Sequence, residues 1–301
     1  MLSTTAIKSK PQRRFKREWL TSYLFLLPAL SFFIVFVAYP MLHGIYISFF
    51  NYNLTNFEFI GFDNYKTLFQ DKNFHQSVIN TVVLVLVAVP IVIVFSLFVG
   101  MTIYKKHELF RSLFRGIFYL PAVTSVVSVT VVWNWIYHPN FGILNYLTGL
   151  VGMKPIFWLG DPNTALMAIT AILITTSVGQ PIILYVAALG NIPTSYIEAA
   201  QLDRANSWHI FTKVIWPMLM PTNLYVIVIT TINTFQCFSL IQLLTSGGPI
   251  YKTSTVMYSV YEQAFSFGNF GLASAMGVLL AIIIGMISII QFKFLGSDVE
   301  Y

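Results

Sequence analysis

The polar side chains whose spacing most suggests a ligand site lie within a long apolar run near residue 230. Four of them recur at i, i+3, i+4 and i+7, which places them on one face of a helix. They are Thr230, Asn233, Thr234 and Cys237, and Gln236 lies beside them. Uncharged hydroxyl and amide groups suit a sugar, because its many hydroxyls need both donors and acceptors.

A second polar cluster lies in the preceding apolar run. Its members are Thr175, Thr176, Ser177, Gly179 and Gln180. Neither cluster contains Arg or Lys, which an ionic ligand would call for. The alternative is that these groups only hydrogen-bond neighbouring helices, as they do in membrane bundles. Each single residue leaves both interpretations open, and the two clusters taken as groups predict a polar pathway.

Covalent and metal chemistry find little support in the chain. There is no Gly-x-x-x-x-Gly-Lys-Ser/Thr phosphate loop and no Gly-x-Ser-x-Gly motif. One cysteine excludes an intramolecular disulfide, and the five histidines form no ligand-spaced pair. The eleven acidic residues fall in loops, tails or span edges, whereas an ion-driven carrier usually keeps ionisable groups inside its spans. The sequence predicts no catalytic residue, no metal site and no cofactor on this chain.

Composition indicates a polytopic membrane protein. Hydrophobic residues make up 56% of the chain and charged residues 9%, whereas a soluble domain carries about 25% charged residues. A membrane-spanning helix needs about 20 apolar residues. We predict an all-α fold with six such helices, near residues 19–50, 78–103, 113–137, 164–189, 218–245 and 268–292. Pro28 and Pro40 are expected to bend the first helix.

Basic residues divide unevenly between the two sides of the six predicted helices. With the N-terminus inside, thirteen of the 17 Lys and Arg residues fall in inner segments and four in outer loops. The positive-inside rule then places both termini in the cytoplasm, and anionic lipid headgroups account for the charge without nucleic acid. The predicted division is a basic tail at 1–18, a first helix with its outer loop at 19–77, a core at 78–295 and a C-terminal tail at 296–301.

The polar stretch at 193–221, between the fourth and fifth predicted helices, is expected to form two short helices. Ser195 and Glu198 fit a capping box with Ser195 as the N-cap. Asp203 or Asn206 could cap the second helix. Because this stretch would lie at the inner membrane face, it predicts a docking surface.

The second of these helices carries an apolar pattern. Trp208, Phe211 and Ile215 recur at i, i+3 and i+7, which predicts one apolar stripe. For Glu198, contact with a partner and capping of its own helix remain equally open, and the two roles can coexist because a carboxylate has several acceptor sites.

The loop resembles the EAA loop of ABC-importer permeases. That pattern is Glu-Ala-Ala, three residues, Gly, nine residues, Ile, any residue, Leu, Pro. Here Glu198-Ala199-Ala200 and Pro217 match it at the same spacing. Arg204 stands at the position of the glycine, which takes positive φ freely, while Val214 and Trp216 stand at the positions of the isoleucine and leucine.

This resemblance implies that residues 193–217 are coupling helices seated in a cleft of a separate ATPase subunit, which would hold the ATP and Mg. The chain itself would be no enzyme. The residues implied in ATPase coupling are Glu198, Ala199, Ala200, Asp203, Arg204, Trp208, Phe211 and Pro217.

Further motifs, in their order along the chain, resemble carbohydrate-type ABC permeases of the maltose and glycerol-phosphate group. They are Asn80-Thr81, Tyr119-Leu120-Pro121, Phe141-Gly142-Ile143-Leu144-Asn145, the run 242–249, Tyr258, Tyr261, Ala264-Phe265 and Gly271-Leu272-Ala273-Ser274-Ala275. By this resemblance, the positions matching the sugar contacts of the maltose-type relatives are Thr175, Gly179, Thr230, Asn233, Thr234 and Cys237.

The resemblance also implies partners and a location. The partners are a second, homologous but different permease, two ATP-binding subunits, and an extracellular solute-binding protein that delivers carbohydrate to the outer loops at 138–163 and 246–267. Gly247, Gly248 and Pro249 would form its docking loop, although they would also serve any outer turn. The complex would lie in a bacterial plasma membrane. A secondary, ion-coupled transporter and a membrane scaffold or enzyme are the rival interpretations.

Overall fold

The structure, a computed structural model, describes residues 12–296. Residues 1–11 and 297–301, which belong to the two predicted tails, lie outside the described residues. Helix α1 (Gln12–Phe33) continues through a π-helical turn at Ile34–Ala38 into α2 (Tyr39–Ile47). Within it, Thr21–Ile47 forms an apolar span of 27 residues, which confirms the first predicted helix. The helical hydrogen bonding changes at the π-helical turn, just before Pro40.

A β-hairpin and a short helix follow the first span. Strand β1 (Phe50–Tyr52) pairs antiparallel with β2 (Phe57–Phe59), and Phe50 lies opposite Phe59. Helix α3 (Asp63–Gln70) then leads towards the next span. The predicted all-α class is confirmed for the spans, and this hairpin contains the only strands among residues 12–296.

Helix α4 (Lys72–Ile103) is the second span and lies at the centre of the bundle. Asp71 caps its first turn, because the Asp71 carboxylate accepts a hydrogen bond from the Asn73 backbone N–H at 2.8 Å. Near the other end, a Cβ added to Gly100 would lie 3.0 Å from the Cβ of Tyr185. The glycine therefore allows close packing between α4 and the helix that carries Tyr185.

The other helices follow in chain order. Before residue 191 they are α5 (Glu108–Val123), α6 (Val126–Ile136), α7 (Ile143–Leu150), α8 (Ala165–Ser177) and α9 (Gly179–Gly190). The next group is α10 (Thr194–Leu202), α11 (Ser207–Ile210), a π-helical turn at Phe211–Ile215, α12 (Trp216–Met218) and α13 (Met220–Phe235). The last group is α14 (Ser239–Leu244), α15 (Val256–Tyr261), a π-helical turn at Glu262–Ser266 and α16 (Phe270–Leu295). Helix α4 packs against α8, α9, α13 and α15.

The described helices are long and apolar enough for up to six membrane spans, which agrees with the predicted number. Three helices qualify singly: Thr21–Ile47, α4 and α16. Three others qualify only as bent pairs, which are α5 with α6 at 100°, α8 with α9 at 41°, and Ser207–Met218 with α13 at 68°.

Three predicted helices are wrong as continuous segments. The third, at 113–137, breaks at Thr124, whose backbone is extended with φ −77° and ψ 143°. The fourth, at 164–189, is divided at Val178 into α8 and α9, which meet at 41°. The fifth, at 218–245, ends with α13 at Phe235 and resumes as α14. In this last break the Cys237 carbonyl accepts a hydrogen bond from the Thr255 hydroxyl at 2.8 Å. The Thr255 side chain thus supplies the hydrogen bond that the broken helix no longer makes and that lipid cannot provide.

Gly179 begins α9 where that helix meets α5. A Cβ added there would lie 2.5 Å from the Phe118 carbonyl oxygen and 2.8 Å from the Tyr119 Cα. Because both neighbours are backbone atoms, they cannot move aside as a flexible side chain could. The glycine therefore sets the distance between the two helices.

Substituting this glycine is expected to destabilise the protein. Gly179→Ala should lower the free energy of unfolding by about 1–3 kcal/mol, the usual penalty of overpacking. Gly190→Ala is the matched control, since a Cβ at Gly190 in the same helix would meet nothing within 4 Å. Thermal unfolding of the detergent-solubilised protein measures the difference. Equal midpoints for the two variants would contradict the close approach at Gly179.

Candidate functional site

The connection at 193–217 is helical, but its first helix starts differently from the prediction. Helix α10 begins at Thr194, and Pro193 occupies the N-cap position without a side-chain hydrogen bond. The predicted capping box is therefore wrong, because Ser195 already lies in the first turn. Pro193 has φ −59°, a value close to that of a helix, and the helix starts directly after it at Thr194.

The Glu198 carboxylate is exposed and accepts no hydrogen bond from any residue in the range 12–296. The interpretation that Glu198 acts as a cap of its own helix is therefore wrong. Its carboxylate points to solvent and is available to a partner chain.

The turn between the two short helices depends on Arg204 and Asn206. Arg204 has φ +57°, the left-handed conformation that glycine adopts most readily. An arginine thus takes the conformation expected of the glycine in the EAA pattern, at a cost of roughly 1–2 kcal/mol. The Asn206 carboxamide oxygen then accepts a hydrogen bond from the His209 backbone N–H at 2.7 Å, which confirms Asn206 as the cap of α11. Asp203 instead ends α10.

The inward side of the connection is packed against the spans. Ile210, Ile215 and Leu219 are buried in one apolar cluster with Leu97 of α4 and Tyr185 of α9. The short helices are therefore fixed to the bundle through side-chain packing, so a force applied to them acts directly on α4 and α9.

The outward side of the connection exposes apolar side chains. Trp208 is 71% exposed, Leu202 is 85% exposed, and Tyr196 is also exposed. Exposed apolar groups of this size are typical of an interaction site. Sequence reasoning identified Trp208 but missed Tyr196 and Leu202, although each is an apolar residue within a short polar helix.

The predicted apolar stripe is wrong, because Trp208 is exposed while Ile215 is buried. The π-helical turn at Phe211–Ile215 changes the spacing and rotates Ile215 towards the bundle. The half-buried Phe211 ring lies between two tryptophans, 5.8 Å from the centroid of Trp208 and 6.0 Å from that of Trp216. Of the remaining residues predicted in coupling, Ala199, Asp203 and Pro217 are exposed and Ala200 is half-buried.

A cavity of about 210 Å³ lies among α5, α8, α9 and α13. Its polar lining consists of uncharged groups only: Thr176, Ser177, Gln180, Tyr225, Thr230 and Asn233. The amides of Gln180 and Asn233 are exposed, so both can act as donor and acceptor towards a ligand. Of the predicted pathway residues, the structure thus brings Gln180, Thr230 and Asn233 together here.

A second cavity, of about 260 Å³, lies next to the first at the break between α13 and α14. Gln236 and Cys237 line it, together with Phe238 and Ser239. The two cavities share Ala122 and Thr176 in their walls. They therefore adjoin each other along the bends of the broken helices, and the polar groups of the second cavity lie among apolar side chains.

Three predicted pathway residues line neither cavity. The Thr175 hydroxyl donates to the Ile172 carbonyl at 2.7 Å, and Thr234 is 2% exposed. Gly179 packs against α5. The predicted helix face is therefore divided between cavity-lining and buried positions. Conversely, Tyr225, Phe238 and Ser239 line the cavities without having been predicted.

The connection after α14 makes a tight turn at Gly247, Gly248 and Pro249. Gly247 has φ +78°, and a Cβ there would lie 2.7 Å from the Tyr258 ring. The Tyr258 hydroxyl donates to the Ser246 carbonyl at 2.9 Å, and the Thr253 hydroxyl donates to the Gly248 carbonyl at 2.6 Å. These hydrogen bonds hold the turn in place, and Gly247 is buried while Gly248 and Pro249 are half-buried.

Asn80 of α4 anchors the chain that follows this turn. Its side-chain N–H₂ donates to the carbonyls of Tyr251 and Ser254, each at 2.9 Å. The Thr81 hydroxyl accepts a hydrogen bond from the Val256 backbone N–H at 3.0 Å. The Asn80-Thr81 motif thus binds the connection to the central helix, a role that its sequence position alone did not reveal.

Ionisable groups are sparse around these features. Burial raises the pKa of the half-buried Glu262 carboxyl in the connection before α16. In the part of the chain that the structure describes, no three His, Cys, Asp or Glu side chains come together as metal ligands would. The arrangement can bind and orient a neutral polar molecule.

Comparison with known proteins agrees with this geometry. Residues 69–301 match the family described as "Binding-protein-dependent transport system inner membrane component". The chain is 33% identical to the probable ABC transporter permease protein YesP of Bacillus subtilis, over 100% of this chain and 98% of that protein. It is 32% identical to the multiple sugar-binding transport system permease protein MsmF of Streptococcus mutans, over 90% and 93% of the two chains.

Solved structures lead to the same family. One is a bacterial ABC transporter involved in import of the acidic polysaccharide alginate, with a TM-score of 0.80, 25% identity, and coverage of 96% of this chain and 99% of that one. Another is the alginate transporter in complex with an alginate pentasaccharide-bound periplasmic protein, with a TM-score of 0.79, 26% identity and coverage of 95% and 96%. Together with the bent spans and the helical connection at 193–217, these matches show that the chain belongs to the binding-protein-dependent inner membrane components, the permeases of ABC importers.

Proposed function

We propose that this permease forms half of the translocation pathway for a sugar or oligosaccharide in an ATP-driven importer. The observation that carries the proposal is that the polar groups lining the two adjoining cavities are hydroxyls, amides and one thiol, without any charge. Such groups match the donors and acceptors of a carbohydrate. Relatives named for multiple sugars and for lactose support the same substrate class.

The cavities are open, and a second permease of the same family would complete their walls. An extracellular solute-binding protein would deliver the substrate, as the alginate transporter's pentasaccharide-bound periplasmic protein suggests. The turn at Gly247, Gly248 and Pro249 is a candidate docking loop for it, because Asn80 holds its flank and Ile250 beside it is 81% exposed.

The orientation follows from the charge distribution. Inner segments carry thirteen of the 17 Lys and Arg residues, so both termini and the connection at 193–217 would face the cytoplasm. The predicted division would then stand as a basic tail at 1–18, a first helix with its outer loop at 19–77, a permease core at 78–295 and a cytoplasmic end at 296–301.

The same orientation places the exposed side of α10 and α11 opposite an ATP-binding subunit, one of two that would hold ATP and Mg. Trp208 and Leu202 supply apolar contact area, and Glu198 and Arg204 supply charges beside them. A large exposed aromatic side chain is the usual type of anchor in such an interface. Because the opposite side packs on α4 and α9, closure of the ATPase pair would rock the spans and alternate access to the cavities.

Removing the outward contacts should uncouple transport from ATP hydrolysis. The double variant Glu198→Ala, Trp208→Ala is expected to lower binding-protein-stimulated ATPase activity and uptake by about tenfold or more, the effect of losing an interface anchor. Lys106→Ala, an exposed position in the connection between α4 and α5, is the control. Both activities are measured on the complex in proteoliposomes. Normal values for the double variant would show that the docking role is wrong.

Removing one cavity amide should weaken transport without affecting assembly. Asn233→Leu keeps the size of the side chain but removes its donor and acceptor, so saccharide uptake should fall by about tenfold, equivalent to one or two lost hydrogen bonds. Asn73→Leu, an exposed position at the start of α4, is the control. Uptake is measured beside size-exclusion chromatography of the complex. Unchanged uptake in an assembled Asn233→Leu complex would remove this residue from the pathway.

A further inference from the structure

Three aromatic rings form a row from the second cavity to the protein surface. The ring centroids of Phe238 and Tyr261 are 4.7 Å apart, with an interplanar angle of 46°. Those of Tyr261 and Phe265 are 5.2 Å apart, with an angle of 36°. The row therefore links the break after α13 to the π-helical turn at Glu262–Ser266.

The inner end of the row belongs to the cavity. Phe238 lines it together with Gln236 and Ser239, both of which are exposed. An aromatic face next to an amide and a hydroxyl suits a sugar ring, which has C–H groups on its faces and hydroxyls at its edge. The negative face of an aromatic ring attracts such weakly positive C–H groups.

The outer end of the row is open. Phe265 is 74% exposed, and its one recorded ring contact among the described residues is with Tyr261. Tyr261 is half-buried, and its hydroxyl makes no hydrogen bond to any residue between 12 and 296. Both ends of the row and its polar edge are thus available to a ligand.

We propose that Phe265, Tyr261 and Phe238 form an aromatic track along which a saccharide passes from the outer face into the cavity. This inference rests on the proposed carbohydrate function. Contact with aromatic rings tolerates sliding, because it depends on no fixed hydrogen bond, while the amides of the cavity bind the sugar in a fixed orientation. The track therefore favours a chain of several sugar units, which can contact two rings at once, over a disaccharide.

The position of Phe265 allows a clear test. Since its ring is mostly exposed, Phe265→Ala removes the outer face of the track without leaving a void in the core. Phe267→Ala is the matched control, because Phe267 lies two residues further on, is 57% exposed and is not part of the row. At the middle position, Tyr261→Phe keeps the ring and removes the hydroxyl, whereas Tyr261→Leu removes the ring.

The experiment compares uptake of labelled lactose and of a labelled neutral pentasaccharide by the assembled importer in proteoliposomes, with its binding protein present. Phe265→Ala and Tyr261→Leu are expected to lower the uptake rate of the pentasaccharide by about tenfold at subsaturating concentration, in line with the loss of one aromatic contact. ATPase stimulation should stay normal, and Phe267→Ala should behave as the unmodified protein. Tyr261→Phe, which keeps the ring, should retain more uptake than Tyr261→Leu.

The other outcomes overturn the inference in distinguishable ways. Equal losses in Phe265→Ala and Phe267→Ala, or no loss in Phe265→Ala, would show that the row does not guide the substrate. Failure of the Phe265→Ala complex to assemble would mean that the second permease covers this ring. If the unmodified importer takes up neither saccharide while it imports another class of solute, the proposed function fails, and the track fails with it.

Discussion

Two contacts at opposite ends of α4 hold the surrounding helices in position. At one end Asn80 and Thr81 hydrogen-bond the backbone of residues 251–256. At the other end Gly100 lets α4 pack directly on Tyr185 of α9. The first contact is polar and directional, and the second depends only on shape. Together they fix the central helix against both the connection after α14 and helix α9, which leads to the connection at 193–217.

Much of the architecture could be predicted from the sequence because lipid allows few alternatives. Apolar runs of sufficient length must be helical where no water is present to satisfy the backbone. The spacing of Glu198-Ala199-Ala200 and Pro217 identified the loop at 193–217, and Asn206 was one of the two candidate caps of its second helix. Ser195 was not a cap, because Pro193 takes the N-cap position and the helix begins one residue before Ser195.

The apolar pattern of the sequence does not reveal the breaks within the spans. Thr124 and Cys237 lie in runs that are as uncharged as any continuous helix, and the partner of the Cys237 carbonyl is Thr255, 18 residues away. For the same reason, helical spacing could assign Thr230, Asn233 and Thr234 to one face but could not tell which of them line the cavity and which are buried. Only the packing of α13 on its neighbours decides that Asn233 meets the cavity while Thr234 is buried.

The open cavities have a consequence for how the complex is put together. Asn233 and Gln236 stand at a surface that no other part of the described chain covers. In a lone subunit these amides would meet hydrocarbon tails, which offer no hydrogen bonds, at a cost of about 1–3 kcal/mol for each group. Pairing with a second subunit relieves that penalty. The same amides that would contact the substrate therefore also make the unpaired subunit the less stable species.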